Sequence, residues 1–324
     1  MQKGYTLRRK VFDWRKVGIG VQKLKEKGRF GRAGRWVAFV AGCLVACLAG
    51  LWVWTKASEG AAHCMPQIAK ISIEEILKKQ NWDAGDYQVL EEQTGLSREA
   101  LSYMEEQGRQ KELAALQESY FATVEVDCVP NSIISKTEYV VDEQGMPASA
   151  IRIPYVEEGD ILITCCSHVF GWRNGHAAMV VDADRRLVLE AQVLGSPSVI
   201  TSLNVWEEYP SFLVLRLQGA DREERAAIAE YAVNYLTGVP YHVTAGVWER
   251  LLPGGTVGGQ QESCGSLTPG EGGNIPEGTH CSHLVWYAYY QFGYDLDSDG
   301  GIIVTPRDIA GSEKLMIIQK YGVG

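Results

Sequence analysis

Nineteen consecutive residues, Trp36 to Trp54 (WVAFVAGCLVACLAGLWVW), carry no charged side chain. A helix of that length, rising about 1.5 Å per residue, crosses the hydrocarbon layer of a bilayer, and a tryptophan at each end suits the two interfaces. Charge divides sharply around this run. Residues 1–35 hold 12 Lys/Arg against 2 Asp/Glu; the whole chain holds 31 against 40, which leaves 19 against 38 beyond residue 35. Basic flanks stay in the cytoplasm, so the acidic remainder is expected outside the cell membrane. The expectation is a basic cytoplasmic tail (1–35) and one transmembrane helix (36–54), with every later residue extracellular.

Two processing routes compete with a retained anchor. Val40-Ala41-Gly42-Cys43 and Leu44-Val45-Ala46-Cys47 both have the form of a bacterial lipoprotein acylation site. The apolar run continues past Cys47 to Trp54, and 35 residues is long for the basic part of a signal peptide. An uncleaved single-pass helix is therefore the reading adopted. The basic tail accounts for topology and for contact with anionic head groups. No nucleic-acid partner is expected, because no binding module accompanies the charge.

Six cysteines follow the apolar run: Cys64, Cys128, Cys165, Cys166, Cys264 and Cys281. Their spacing is irregular, and once one is set aside as a nucleophile an odd number remains, which argues against a disulfide framework. No CxxC pair supports zinc. Neighbouring side chains on a strand face opposite ways, so Cys165 and Cys166 read as two positions at the end of a buried strand.

Residues 55–121 read as a linker followed by short helices. Ser72 and Glu75 have the spacing of a capping box, Asp86 to Gln93 forms a turn or two stopped at Gly95, Ser97 caps a helix with Leu101 and Met104, and a last helix runs toward Phe121. Residues 122–158 are mixed, with strand-like stretches 123–129 and 138–141. From residue 159 to 324 the pattern is α+β: strands at 160–164, 176–182 and 187–191, the last two joined by a turn at Asp182 to Arg185; a strand at 212–217; a helix from Asp221 to Gly238; strands at 302–304 and 315–319.

Within that last region a loop with nine glycines, Gly254 to Gly278, leads to His280-Cys281-Ser282-His283-Leu284-Val285-Trp286. Leu284, Val285, Ala288 and Phe292 repeat at helical spacing, which puts Cys281 in the first turn. Unpaired N–H groups and the positive end of the helix dipole favour an anion there, so the thiol is shifted toward thiolate. A cysteine hydrolase needs in addition an imidazole and a group that orients it. His176 begins a strand after Gly175. On the neighbouring strand Glu190 is the only carboxylate, in an apolar run where burial would be costly without a partner such as an imidazolium. His280 and His283, beside Cys281 in sequence, read as pocket-rim or solvent residues because adjacent helical positions diverge. His168 and His242 stay open as alternative bases.

Taken together, GDILIT (159–164), GHAAMVVD (175–182), LVLEA (187–191), TGVPY (237–241) and HCSHLVW (280–286) resemble the NlpC-type papain-like cysteine hydrolases, which act mostly on bacterial cell walls. In the common form of that family the nucleophile motif comes first; here it comes last, as in the circularly permuted YiiX/YebB-like branch. The resemblance covers about residues 155–320. It implies a permuted papain-like domain with an antiparallel sheet packed on helices, Cys281 as nucleophile, His176 as general base and acid, Glu190 as the polar third member, and Tyr241 as a residue shaping the site. Ser282 and His280 join Tyr241 as expected substrate-binding residues. Two departures stand out: His280 replaces the usual aspartate before the cysteine, and His283 the glycine two residues after it.

The expectation is cleavage of an amide bond in a peptidoglycan peptide or related envelope polymer, without cofactor or metal. The rivals are a lipid acyl hydrolase or acyltransferase, because the permuted branch includes enzymes of acyl esters, and a noncatalytic surface module. Asp295, Asp297, Asp299 and Gly300 match the start of an EF-hand loop, but Pro306 stands where a bidentate glutamate is needed, with Asp308 the nearest substitute. An acidic turn is the expectation.

Overall fold

The computed structural model describes residues 32–58, 63–132, 134–169, 171–247 and 275–323. The basic tail before residue 32 and most of the glycine-rich loop lie outside the described residues. The chain divides after Trp52 into two compact units. The first is carried by helix α1 (Arg32–Ser58), whose stretch Gly34–Trp54 is long and apolar enough to cross a membrane. Between residues 35 and 54 nearly all its side chains are exposed, as lipid-facing ones would be. A signal sequence passes the same test of length and composition.

The second unit, Val53–Gly324, is α+β. It opens with four short helices: α2 (Glu74–Leu77), α3 (Ala84–Thr94), α4 (Arg98–Glu106) and α5 (Glu112–Tyr120). The capping box expected at Ser72 does not form, since α2 starts after Ile73 with no side-chain cap. The box forms instead at Asp83, whose carboxylate accepts from Gly85 and Asp86 while Asp86 answers the Asp83 N–H. Gly95 ends α3 at φ 72°; a Cβ there would lie 2.3 Å from the Lys320 carbonyl oxygen, so only glycine fits. Ser97 caps α4.

Two antiparallel sheets follow. The smaller has the order β1 (Glu125–Pro130), β2 (Ser135–Val141), β4 (Ser167–Val169), β5 (Trp172–Arg173). The larger runs β10 (Leu315–Tyr321), β9 (Phe212–Leu217), β3 (Ile161–Thr164), β6 (His176–Asp182), β7 (Leu187–Glu190), β8 (Val199–Ser202). The turn joining β6 to β7 is held by Asp182 Oδ1 accepting the Arg185 N–H at 2.7 Å. No strand forms at 302–304: Ile302 and Ile303 are exposed in a loop whose Val304 carbonyl instead anchors the Ser282 hydroxyl.

Both faces of the large sheet are covered, which is why β3 reads as an unbroken apolar run rather than an alternating one. On one face Leu162, Ala178, Val180, Val188 and Val214 pack with Leu90, Leu101, Met104 and Leu113 of the short helices. On the other, Ile161, Ile163, Ala177, Met179 and Leu215 pack with Ile228 and Ala232 of α6 (Arg222–Leu236) and with Leu284, Val285 and Ala288 of α7 (Cys281–Tyr290). The helices before residue 121 thus share their core with the strands after residue 159. A short helix α8 (Pro306–Ala310), capped by Thr305, precedes β10.

Candidate active site

Cys281 is the first residue of α7, and 6% of its surface is exposed. The chain reaches it through a bridge between Tyr241 and Thr279, fixed by the Thr279 N–H on the Pro240 carbonyl (2.9 Å) and the His242 N–H on the Thr279 carbonyl (2.8 Å). His280 is extended at the N-cap, and its Nδ1 accepts the His283 N–H at 3.3 Å. It performs there the task an aspartate would perform, supplying an acceptor to an otherwise unpaired first-turn donor.

His176 opens β6 opposite Thr164 of β3. Glu190 ends β7 opposite Ala178, two residues along from His176 and on the same face of the sheet, so the two side chains are diagonal neighbours. The His176 Nε2–H donates to Glu190 Oε2 at 2.7 Å. The other carboxylate oxygen accepts from Gln192 Nε2 at 2.8 Å and from the Thr201 hydroxyl on β8. The indole of Trp206, in the 3-10 helix Leu203–Glu208, stacks on the imidazole with centroids 5.5 Å apart, and Tyr209 meets that indole edge-on. With Nε2 committed to Glu190, Nδ1 is the ring nitrogen left for the thiol.

The electrostatics follow from this packing. Burial pushes the Cys281 thiol up, but pairing with His176 and then with His280 outweighs it and brings the thiol down to about 5. Burial pushes the His176 imidazolium down, and its pairing with Cys281 and Glu190 raises it to about 10. Burial works against the Glu190 carboxylate, while His176, Thr201 and Gln192 hold it below its usual range. Both directions favour a thiolate beside an imidazolium at neutral pH. Tyr241 is half-buried, and burial together with the neighbouring Cys281 charge raises its phenol.

Several residues stand differently from the sequence reading. His280 and His283 are not at a rim: they are 6% and 1% exposed, the first capping α7 and the second with its Nδ1 3.1 Å from the Thr279 hydroxyl. Ser282 is buried and donates its hydroxyl to the Val304 carbonyl at 2.9 Å, which ties its side chain to the loop before α8. His168 is buried in another network, 2.8 Å from Glu138, whose carboxylate also takes two hydrogen bonds from Arg173. His242 is exposed. Thr201, Gln192 and Trp206 carried no signal in the sequence, since each acquires its role only by lying beside β7 or over the ring. Among the described residues, Asp297, Asp299 and Asp308 bring carboxylate oxygens within 4.8 Å of one another, with Asp308 also bonded to Thr305.

No family model matches the chain, and no curated protein does. A solved structure titled as the metalloprotein YiiX from Escherichia coli O157:H7 superposes with a TM-score of 0.36 and 15% identity, over 52% of this chain and 98% of that one.

Proposed function

We propose that this chain is a membrane-anchored cysteine hydrolase that cleaves an amide bond, with peptidoglycan peptides or a related envelope polymer as substrate. The observation that carries the reading is His176, whose imidazole is hydrogen-bonded to the buried Glu190 and is electrostatically paired with the Cys281 thiol. In the proposed course the Cys281 thiolate attacks the carbonyl carbon and the charge moves to the oxygen. His280 and the helix ladder take up the N–H groups of His283 and Leu284, so those of Cys281 and Ser282 are the first-turn donors left for the oxyanion. His176 then gives its proton to the leaving amine as the C–N bond breaks. Water, deprotonated by the same imidazole, releases the acyl group and restores the thiol. Glu190 keeps Nδ1 turned toward sulfur and stabilises the imidazolium.

The apolar helix, as a retained span, would hold the second unit where wall material is abundant, which supports that substrate class. Purified wall is digested with the chain, with Cys281→Ala as control; new amine ends in the first sample alone are expected. Lipid extracts incubated in parallel separate the acyl-ester reading, because release of fatty acid with no new amine ends would replace the amide substrate by a lipid. No product from either, with a Cys281 no more reactive than an ordinary thiol, would leave a binding module.

A further inference from the structure

A second thiol site lies outside the proposed hydrolase centre. β3 ends at Thr164, and the chain bends before β4 begins at Ser167. The bend undoes the alternation a strand would impose. Instead of facing opposite ways, both sulfurs converge on the Ser211 hydroxyl, Cys165 Sγ at 3.2 Å and Cys166 Sγ at 3.4 Å. Cys166 is fully buried, while Cys165 is exposed. Cys165 opens onto a cleft of about 270 Å³ that Arg173, Asn174 and Arg307 also line. Arg173 donates to the Cys165 carbonyl at 3.2 Å.

We propose that Cys165 and Cys166 form a redox-reactive dithiol, in which a small hydroperoxide oxidises Cys165 and Cys166 closes a vicinal disulfide with it. The pair is chemically asymmetric. A hydrogen bond from Cys166 pulls the Cys165 thiol down, against burial and with help from Ser211 and Arg173, to about 6. Burial and the neighbouring Cys165 charge push Cys166 up. One sulfur is thus an accessible thiolate and the other a protonated thiol gathered on the same Ser211 hydroxyl, the division of labour between an attacking and a resolving cysteine.

The steps balance. The Cys165 thiolate attacks one oxygen of hydrogen peroxide; the O–O bond breaks, a sulfenic acid forms, and the hydroxide that leaves takes up the proton the Cys165 thiol had released to solvent. Cys166 sulfur then attacks the Cys165 sulfur; the S–S bond forms, the S–O bond breaks, and the thiol proton leaves with the hydroxyl as water. Two thiols lose two electrons and two protons, and the peroxide becomes two waters. Adjacent Cα atoms are about 3.8 Å apart, below the usual 4.4–6.8 Å for a disulfide, so the product is strained and readily reduced.

The test uses the reduced full-length chain in detergent, treated with hydrogen peroxide at pH 6 beside a cysteine-containing reference peptide, then alkylated, digested and weighed. Cys165 should react about tenfold faster than the reference, since its larger thiolate fraction outweighs its lower intrinsic nucleophilicity. The 165–166 peptide should lose two hydrogens, resist alkylation and recover both thiols with dithiothreitol. In Cys166→Ser the reaction should stop at a sulfenic acid trapped by dimedone. A Cys165 no faster than the reference, or a pair that ends over-oxidised or still alkylatable with no internal disulfide, overturns the proposal. The wild-type chain alone decides this, and Cys281 is read from a separate peptide, so the outcome is independent of the hydrolase reading.

Discussion

The indole of Trp206 lies nearly parallel to the His176 imidazole, with 16° between the planes and 5.5 Å between the centroids. Trp206 is fully buried and the imidazole nearly so, so the ring is confined on its face by the indole and at its edge by Glu190. An imidazolium against an aromatic face is also favoured electrostatically. Trp206→Ala should cost about 3–5 kcal/mol by leaving a cavity, read as a lower denaturation midpoint. Trp206→Leu removes the aromatic face while keeping bulk, and should move the high-pH limit of activity downward.

Alkylation of Cys281 by iodoacetamide should rise with pH through about 5 and then stay level, where an ordinary thiol rises through about 8.5. Below about 5 the thiolate is protonated, and above about 10 the imidazolium loses the proton needed by the leaving group. Between those limits the ion pair persists, and hydrolysis should show a broad plateau. A Cys281 reaction rate that keeps climbing between pH 7 and 9 would contradict this.

Glu190→Gln keeps an acceptor for Thr201 and Gln192 but removes the charge that holds the imidazolium. We expect turnover about 10- to 100-fold lower and a Cys281 alkylation profile shifted to higher pH, since a weaker imidazolium stabilises the thiolate less. Unchanged profiles, with or without lower turnover, would make Glu190 a packing residue only.

His168 and His176 each meet a buried glutamate, and it is His176 that is electrostatically paired with Cys281. Glu138→Ala leaves the His168 ring without its partner in a site that is fully closed. It should cost about 1–3 kcal/mol of stability and leave the pH profile of Cys281 alkylation where it was. A shift in that profile would tie the two networks together.

What can be read from neighbouring residues was legible in the chain. The placement of Cys281 in a first turn follows from Leu284, Val285 and Ala288, and the β6–β7 turn from Asp182 to Arg185. Glu190 stood out because a carboxylate inside Leu187 to Ala191 demands a partner. The neighbours of His176 were less visible. Trp206 looks like any core aromatic, and Thr201 lies on a strand whose exposed and half-buried residues give no strong apolar pattern. His280 and His283 look polar enough for a rim, yet the cap on α7 and the packing of its neighbours draw both inside.

The chain alone determined the features that depend on covalent neighbours: an uncharged span between a basic and an acidic part, the period of each strand and helix, and the thiol at a helix start. Tertiary structure decided which faces met. It laid the helices before residue 121 on the sheet formed after residue 159, set Trp206 on His176, and turned Cys165 and Cys166 toward one hydroxyl where a straight strand would have separated them. The physical reason is that periodicity tells a residue's side of its own element, whereas convergence depends on how distant elements stack and where a strand stops. Local sequence does not encode those distances.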